Sequence, residues 1–122
     1  MRVLIETNGS LQLLCSSTGS SWISLSITPS SIVTTGAWYH LAAVRNGSAF
    51  NLYINGTSQQ NYSSAVTLQD SGGATWIGAL QYPSTGAIYN PFNGYLDDFR
   101  VTKGVARYTA NFTPPTAAFP NQ

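Results

Sequence analysis

The sequence predicts an all-β domain, and three observations predict it. No segment of ten or more residues repeats apolar positions at a helical period. Short runs rich in β-branched and aromatic residues alternate instead with clusters of Gly, Asn, Ser, Thr and Pro. Asn-Gly pairs sit between apolar runs at 8–9, 46–47 and 55–56, where a hairpin needs residues that tolerate positive φ. The 122 residues suffice for one domain with one core. Residues 1–112 are expected to form that domain and 113–122, with three prolines, an extended tail.

The elements follow in order. Residues 2–6 make a first short strand, and Asn8-Gly9 turns it into 11–16, where Leu11, Leu13 and Cys15 share one face. Residues 21–27 alternate cleanly, with Ile23, Leu25 and Ile27 on one side and Trp22, Ser24 and Ser26 on the other. A loop around Pro29 leads to 38–46, apolar on both faces and therefore expected at the centre of a sheet covered on both sides. Asn46-Gly47-Ser48 and Asn55-Gly56 then fold 38–62 into a three-stranded meander. Residues 63–68 extend a strand end, 69–73 are loop, and 75–80 are expected as a strand. Residues 81–93 lack a pattern and hold two prolines and three aromatics, which marks a loop that is functional or packed down by its own side chains. Residues 94–102 are expected as the last strand.

Composition narrows the function. Only 7% of residues are charged, against about 25% in an ordinary domain, so solubility rests on Ser, Thr, Asn, Gln and Gly. A net charge of +1 speaks against nucleic acid or an anionic membrane as partner and leaves little repulsion to oppose self-association. Cys15 is the single cysteine, so it forms no intrachain disulfide and fits the core as a small apolar residue. No window approaches the roughly 18 apolar residues of a membrane span, and 1–6 do not read as a cleavable leader. Asn8, Asn46, Asn55, Asn61 and Asn111 head N-x-Ser/Thr triplets, read here as turn chemistry and not as glycan acceptors.

Three pieces then line up. Trp38-Tyr39-His40-Leu41-Ala42 is followed by Leu52-Tyr53-Ile54-Asn55-Gly56 and by Phe92-Asn93-Gly94-Tyr95-Leu96-Asp97-Asp98-Phe99-Arg100. In this order they resemble the laminin-G-like branch of the concanavalin A-like lectin/glucanase superfamily. The continuation through Arg107-Tyr108 and Asn111-Phe112-Thr113-Pro114-Pro115 is similar to the version found in bacteriophage tail and virion proteins. The resemblance implies a two-sheet antiparallel jelly-roll sandwich that binds glycans or proteins or serves as a structural module. Such domains usually begin with a strand ahead of what is here 2–6. The expectation is that another copy, or a virion protein, covers that edge. The implied setting is a virion or the extracellular space.

The candidate site residues are few. In a strand, Asp97 and Asp98 point to opposite faces and cannot flank one glycosidic bond, so no enzyme is expected. Both are placed among the structural residues, one of them as an acceptor for a nearby backbone, His40 or an arginine. His40, the single histidine, shares a face with Trp38 and is read as a hydrogen-bonded core residue, with no nucleophile motif beside it. Arg100 and Tyr108 with Phe112 are read as a clip that closes an end of the sandwich, arginine stems lying on aromatic rings. Tyr82, Tyr89, Tyr62 and Trp22 are the ligand-binding candidates, because sugars stack on flat exposed rings. No cofactor is expected. Asp70 is the weak candidate for calcium, which needs six to eight oxygens.

Overall fold

The computed structural model describes residues 2–18, 22–27, 33–69, 75–82 and 84–119. Among them every regular element is a strand: β1 Arg2–Ile5, β2 Leu11–Ser16, β3 Trp22–Ile27, β4 Leu41–Asn46, β5 Ala49–Ile54, β6 Thr57–Ser63, β7 Leu80–Gln81 and β8 Ile88–Tyr89. They form sheets β1-β2-β3, β4-β5-β6 and β7-β8, and every pairing is antiparallel. The all-β architecture read from the sequence is the one observed.

The turns show why this chain pairs this way. Thr7, Asn8 and Gly9 form a three-residue loop in which the Gly9 N–H donates to the Glu6 carbonyl and the Glu6 N–H to the Ser10 carbonyl, each at 2.9 Å. Gly9 takes φ +77° and Asn8 Oδ1 accepts the Ser10 N–H at 3.0 Å, the arrangement of a type I turn closed by a left-handed residue. Asn55 at φ +49° and Gly56 at +77° make the tight turn between β5 and β6. Both central residues need the left-handed region, which Asn and Gly enter at little cost.

The core comes from the central strand of each three-stranded sheet. Leu11, Leu13 and Cys15 of β2 and Phe50, Leu52 and Ile54 of β5 form one buried cluster, rimmed by Ile5, Leu41, Ala43, Val66 and Leu68. Alternation at period two puts three apolar side chains of each strand on one face. Each large one stabilises the fold by about 1.5–3 kcal/mol on burial. Burial also raises the Cys15 thiol above its ordinary pKa, which keeps the reactive thiolate scarce. Residues 64–69 cross from one sheet to the other: Ser64 N–H donates to Ser48 O at 2.8 Å and Gln69 N–H to Ser16 O at 2.9 Å. Arg45 holds the crossing, its Nη2 donating to Val66 O at 2.6 Å while its guanidinium lies 5.1 Å from the Phe50 ring centre.

Four expectations are corrected. The strand placed at 38–46 begins at Leu41, and it lies at the edge of its described sheet, because tight turns at both ends of β5 force β5 into the middle. Trp38, ahead of that strand, is 69% exposed instead of sharing in the packing. The strand placed at 75–80 reduces to β7, which pairs with β8 inside the stretch taken as patternless loop. Residues 94–102 form no strand: Asp98 sits at φ +49°, and Asp97 Oδ1 takes the Asp98 N–H at 2.8 Å, a local bond that competes with a ladder. Tyr95, Leu96, Phe99 and Val101 of this segment are exposed.

Candidate functional site

Two aromatic groups stand out. The first is the β7–β8 hairpin. Tyr82 N–H donates to Ala87 O at 2.9 Å and Gly86 N–H to Tyr82 O at 2.8 Å, with Gly86 at φ +71°. Gln81 Nε2 donates across the turn to Gly86 O at 3.0 Å. The short ladder pairs Leu80 with Tyr89 and places the Tyr82 and Tyr89 rings 4.0 Å apart and nearly parallel, at 21°. Tyr82 is 50% exposed and Tyr89 half-buried. The stack uses one face of each ring, and the rest forms a small apolar platform with phenol hydroxyls at its edge.

The second group is the clip. Tyr53 is 1% exposed although it points away from the core residues of β5. Residues 108–112 return to cover it. Tyr108 and Phe112 stack at 3.6 Å and 6°, and the Phe112 ring meets Tyr53 at 5.4 Å. The clip therefore lies on the outer face of β5, beside the β5–β6 turn at one end of that sheet.

The β5–β6 turn anchors it. Phe112 N–H donates to Gly56 O and Ser58 N–H to Asn111 Oδ1, both at 2.9 Å. The same turn holds His40, whose N–H donates to Asn55 Oδ1 at 2.9 Å and whose carbonyl accepts the Asn55 N–H at 2.8 Å. In β6 the pairing skips a residue at Gln59 opposite Leu52/Tyr53. Such a bulge re-aims the strand beside the turn where the clip docks.

The His40 ring is packed edge-on by Tyr108, Phe112 and Phe119. Its buried Nδ1 has no hydrogen-bond partner among the described residues, so the expected hydrogen-bonded core histidine is held by rings instead. Burial and the nearby Arg100 charge lower its pKa from the ordinary value. Arg100 places its guanidinium 3.7 Å from the Phe119 ring centre, so its ring partner is Phe119 and not the Tyr108–Phe112 stack. Asp98 Oδ1 accepts the Phe119 N–H at 3.4 Å. Both carboxylates of the pair thus accept backbone N–H groups, Asp97 within its own turn and Asp98 across 21 residues.

The remaining candidates separate. Tyr62 is 44% exposed on β6, opposite Phe50 in register and apart from the Tyr82–Tyr89 pair. The Trp22 side chain and Asp70 lie outside the described residues. Among the described residues no three of His, Cys, Asp and Glu gather as metal ligands. Sequence reasoning missed Tyr53 and Phe119. The only signal was their aromatic character, since neither breaks the strand or tail pattern around it.

A model of the concanavalin A-like lectin/glucanases superfamily, of laminin-G type, matches residues 1–107. No curated protein and no solved structure matches the chain. Laminin-G-like domains are in general non-catalytic modules. The antiparallel sheets, the two central strands that share one core, the Trp38–Ala42 stretch that leads into β4 and the Leu52–Gly56 stretch that runs from β5 into its turn agree with that match. The chain belongs to the laminin-G-like family of the concanavalin A-like lectin/glucanase superfamily, whose domains bind partners or build structures.

Proposed function

We propose that this chain is a non-catalytic, lectin-like module of a virion or other extracellular assembly, which attaches to a surface glycan through Tyr82 and Tyr89. The observation that carries this reading is the stacked tyrosine pair on an exposed hairpin. A sugar presents an apolar C–H face and a rim of hydroxyls. A tyrosine platform offers a matching apolar face with polar groups at its edge. Low charge fits a neutral glycan better than a strongly anionic one. The test is binding to a glycan array. The wild-type protein is expected to retain specific glycans, and the Tyr82→Ala/Tyr89→Ala variant to lose affinity about tenfold or more, as when an aromatic anchor is removed from an interface. An unchanged melting midpoint in the variant shows that the loss is local. Binding that survives the double substitution sinks the assignment.

A second reading is a building block that assembles with other copies or with another virion protein. It is favoured by the exposed apolar side chains of Trp38, Tyr95, Phe99, Val101 and Val105, since exposed apolar patches mark interaction surfaces. Ordered oligomers in analytical ultracentrifugation, together with an empty glycan array, would select it.

A further inference from the structure

We propose that His40 makes the C-terminal clip pH-sensitive: protonation of its imidazole releases residues 108–119 from the face of β5. The inference is independent of what the tyrosine pair binds. The clip closes on His40 with three rings, Tyr108 at 6.1 Å, Phe112 at 5.4 Å and Phe119 at 6.5 Å. It leaves Nδ1 buried with no acceptor among the described residues. A neutral imidazole places a bare nitrogen there at moderate cost. An imidazolium places an N–H and a positive charge there with nothing to receive them.

The groups around the ring do not compensate. The nearby charge is Arg100, of the same sign as an imidazolium. Asp98, the carboxylate that contacts residue 119, is engaged with the Phe119 N–H. The Tyr53 hydroxyl points to the Tyr108 carbonyl at 3.5 Å and not to the ring. Aromatic faces attract cations, but these faces are partly taken. Arg100 occupies one face of Phe119, and Tyr108 and Phe112 cover one face of each other. On the β4 side, Asn55 satisfies the backbone of His40 and leaves its ring untouched.

The sign follows from linkage. Burial and Arg100 lower the closed-state pKa, whereas an opened clip returns His40 to its ordinary value near 6.5. The open state then binds more protons, so the closed state is favoured above that value. It loses ground as pH falls through it toward the closed-state pKa.

The chain has one histidine, and histidine is the side chain whose ordinary pKa lies between pH 5 and 8, which makes the test clean. The imidazole resonances of the intact protein, followed by NMR from pH 8 to 4, are expected to titrate below 6.5. Hydrogen exchange of the Phe112 amide, corrected for intrinsic rate, is expected to rise several-fold from pH 7 to 5, while amides of β2 stay protected. His40→Phe keeps an aromatic ring without a proton site, and its Phe112 exchange is expected to be flat over the same range. A titration at or above 6.5, a pH-independent Phe112 exchange in the wild type, or an equal rise in His40→Phe overturns the proposal. If His40→Phe does not fold, the wild-type titration and exchange data decide alone.

Discussion

Gly56→Ala is expected to cost about 3 kcal/mol or more, and to lower the melting midpoint by on the order of 10 °C. Two physical terms combine at this position. Gly56 sits at φ +77°, where an L side chain strains the backbone by about 1–2 kcal/mol. An added Cβ also collides with the Phe112 carbonyl oxygen, and neither backbone can yield without undoing the Phe112 N–H···O Gly56 bond. Gly47 is the internal control. It sits at φ +59° with nothing within 4 Å of where a Cβ would stand, so Gly47→Ala should show the backbone strain alone. The difference between the two variants in urea denaturation measures how firmly the clip is docked. Equal losses would mean that the clip contributes nothing there.

Leu13→Ala is expected to cost about 3–4 kcal/mol, within the range of about 2–5 kcal/mol for truncating a buried leucine. Leu13 is 1% exposed on the central strand of its sheet, paired in register with Val3 and Leu25. Its neighbours across the core, Phe50, Leu52 and Ile54, belong to the other sheet. The cavity thus opens between two layers held by separate ladders, which limits how far either relaxes into it. A lower urea midpoint at unchanged slope is the expected signature. A loss below about 1 kcal/mol would show that the two sheets close over the gap.

Both positions also show what was legible beforehand. Leu11, Leu13 and Cys15, and Phe50, Leu52 and Ile54, announce their strands by simple alternation, and burial follows that pattern. Asn46-Gly47 and Asn55-Gly56 announce the meander because few residue pairs tolerate the dihedrals a tight hairpin demands. The last expected strand failed for a physical reason. Tyr95, Asp97, Phe99 and Val101 alternate convincingly, but alternation cannot reveal that Asp97 will bond the next backbone amide and that Asp98 will turn left-handed. The two-residue strand β8 was invisible, and β7 was legible only as the end of a longer expected strand, because any pattern needs more than two residues. Tyr82 and Tyr89 were legible as exposed loop aromatics, but not as a stack, since seven positions and a turn separate them. The clip was legible as a packing segment. Its partner Tyr53 was not, because alternation puts Tyr53 on the outer face and only the return of a distant segment buries it.

That return has a kinetic meaning. The β1–β2, β4–β5 and β5–β6 hairpins close loops of two or three residues, whereas the Ser58–Asn111 bond spans 53. Closing a loop of that length costs on the order of 3 kcal/mol in chain entropy before any contact rewards it. The two sheets therefore have a head start, and Tyr53 waits, half-finished, on an already folded surface. Pulsed hydrogen exchange during refolding should protect the β4–β5 amides before the Phe112 amide; simultaneous protection would refute this order. The stacked rings of Tyr108 and Phe112 act as the latch that completes the fold.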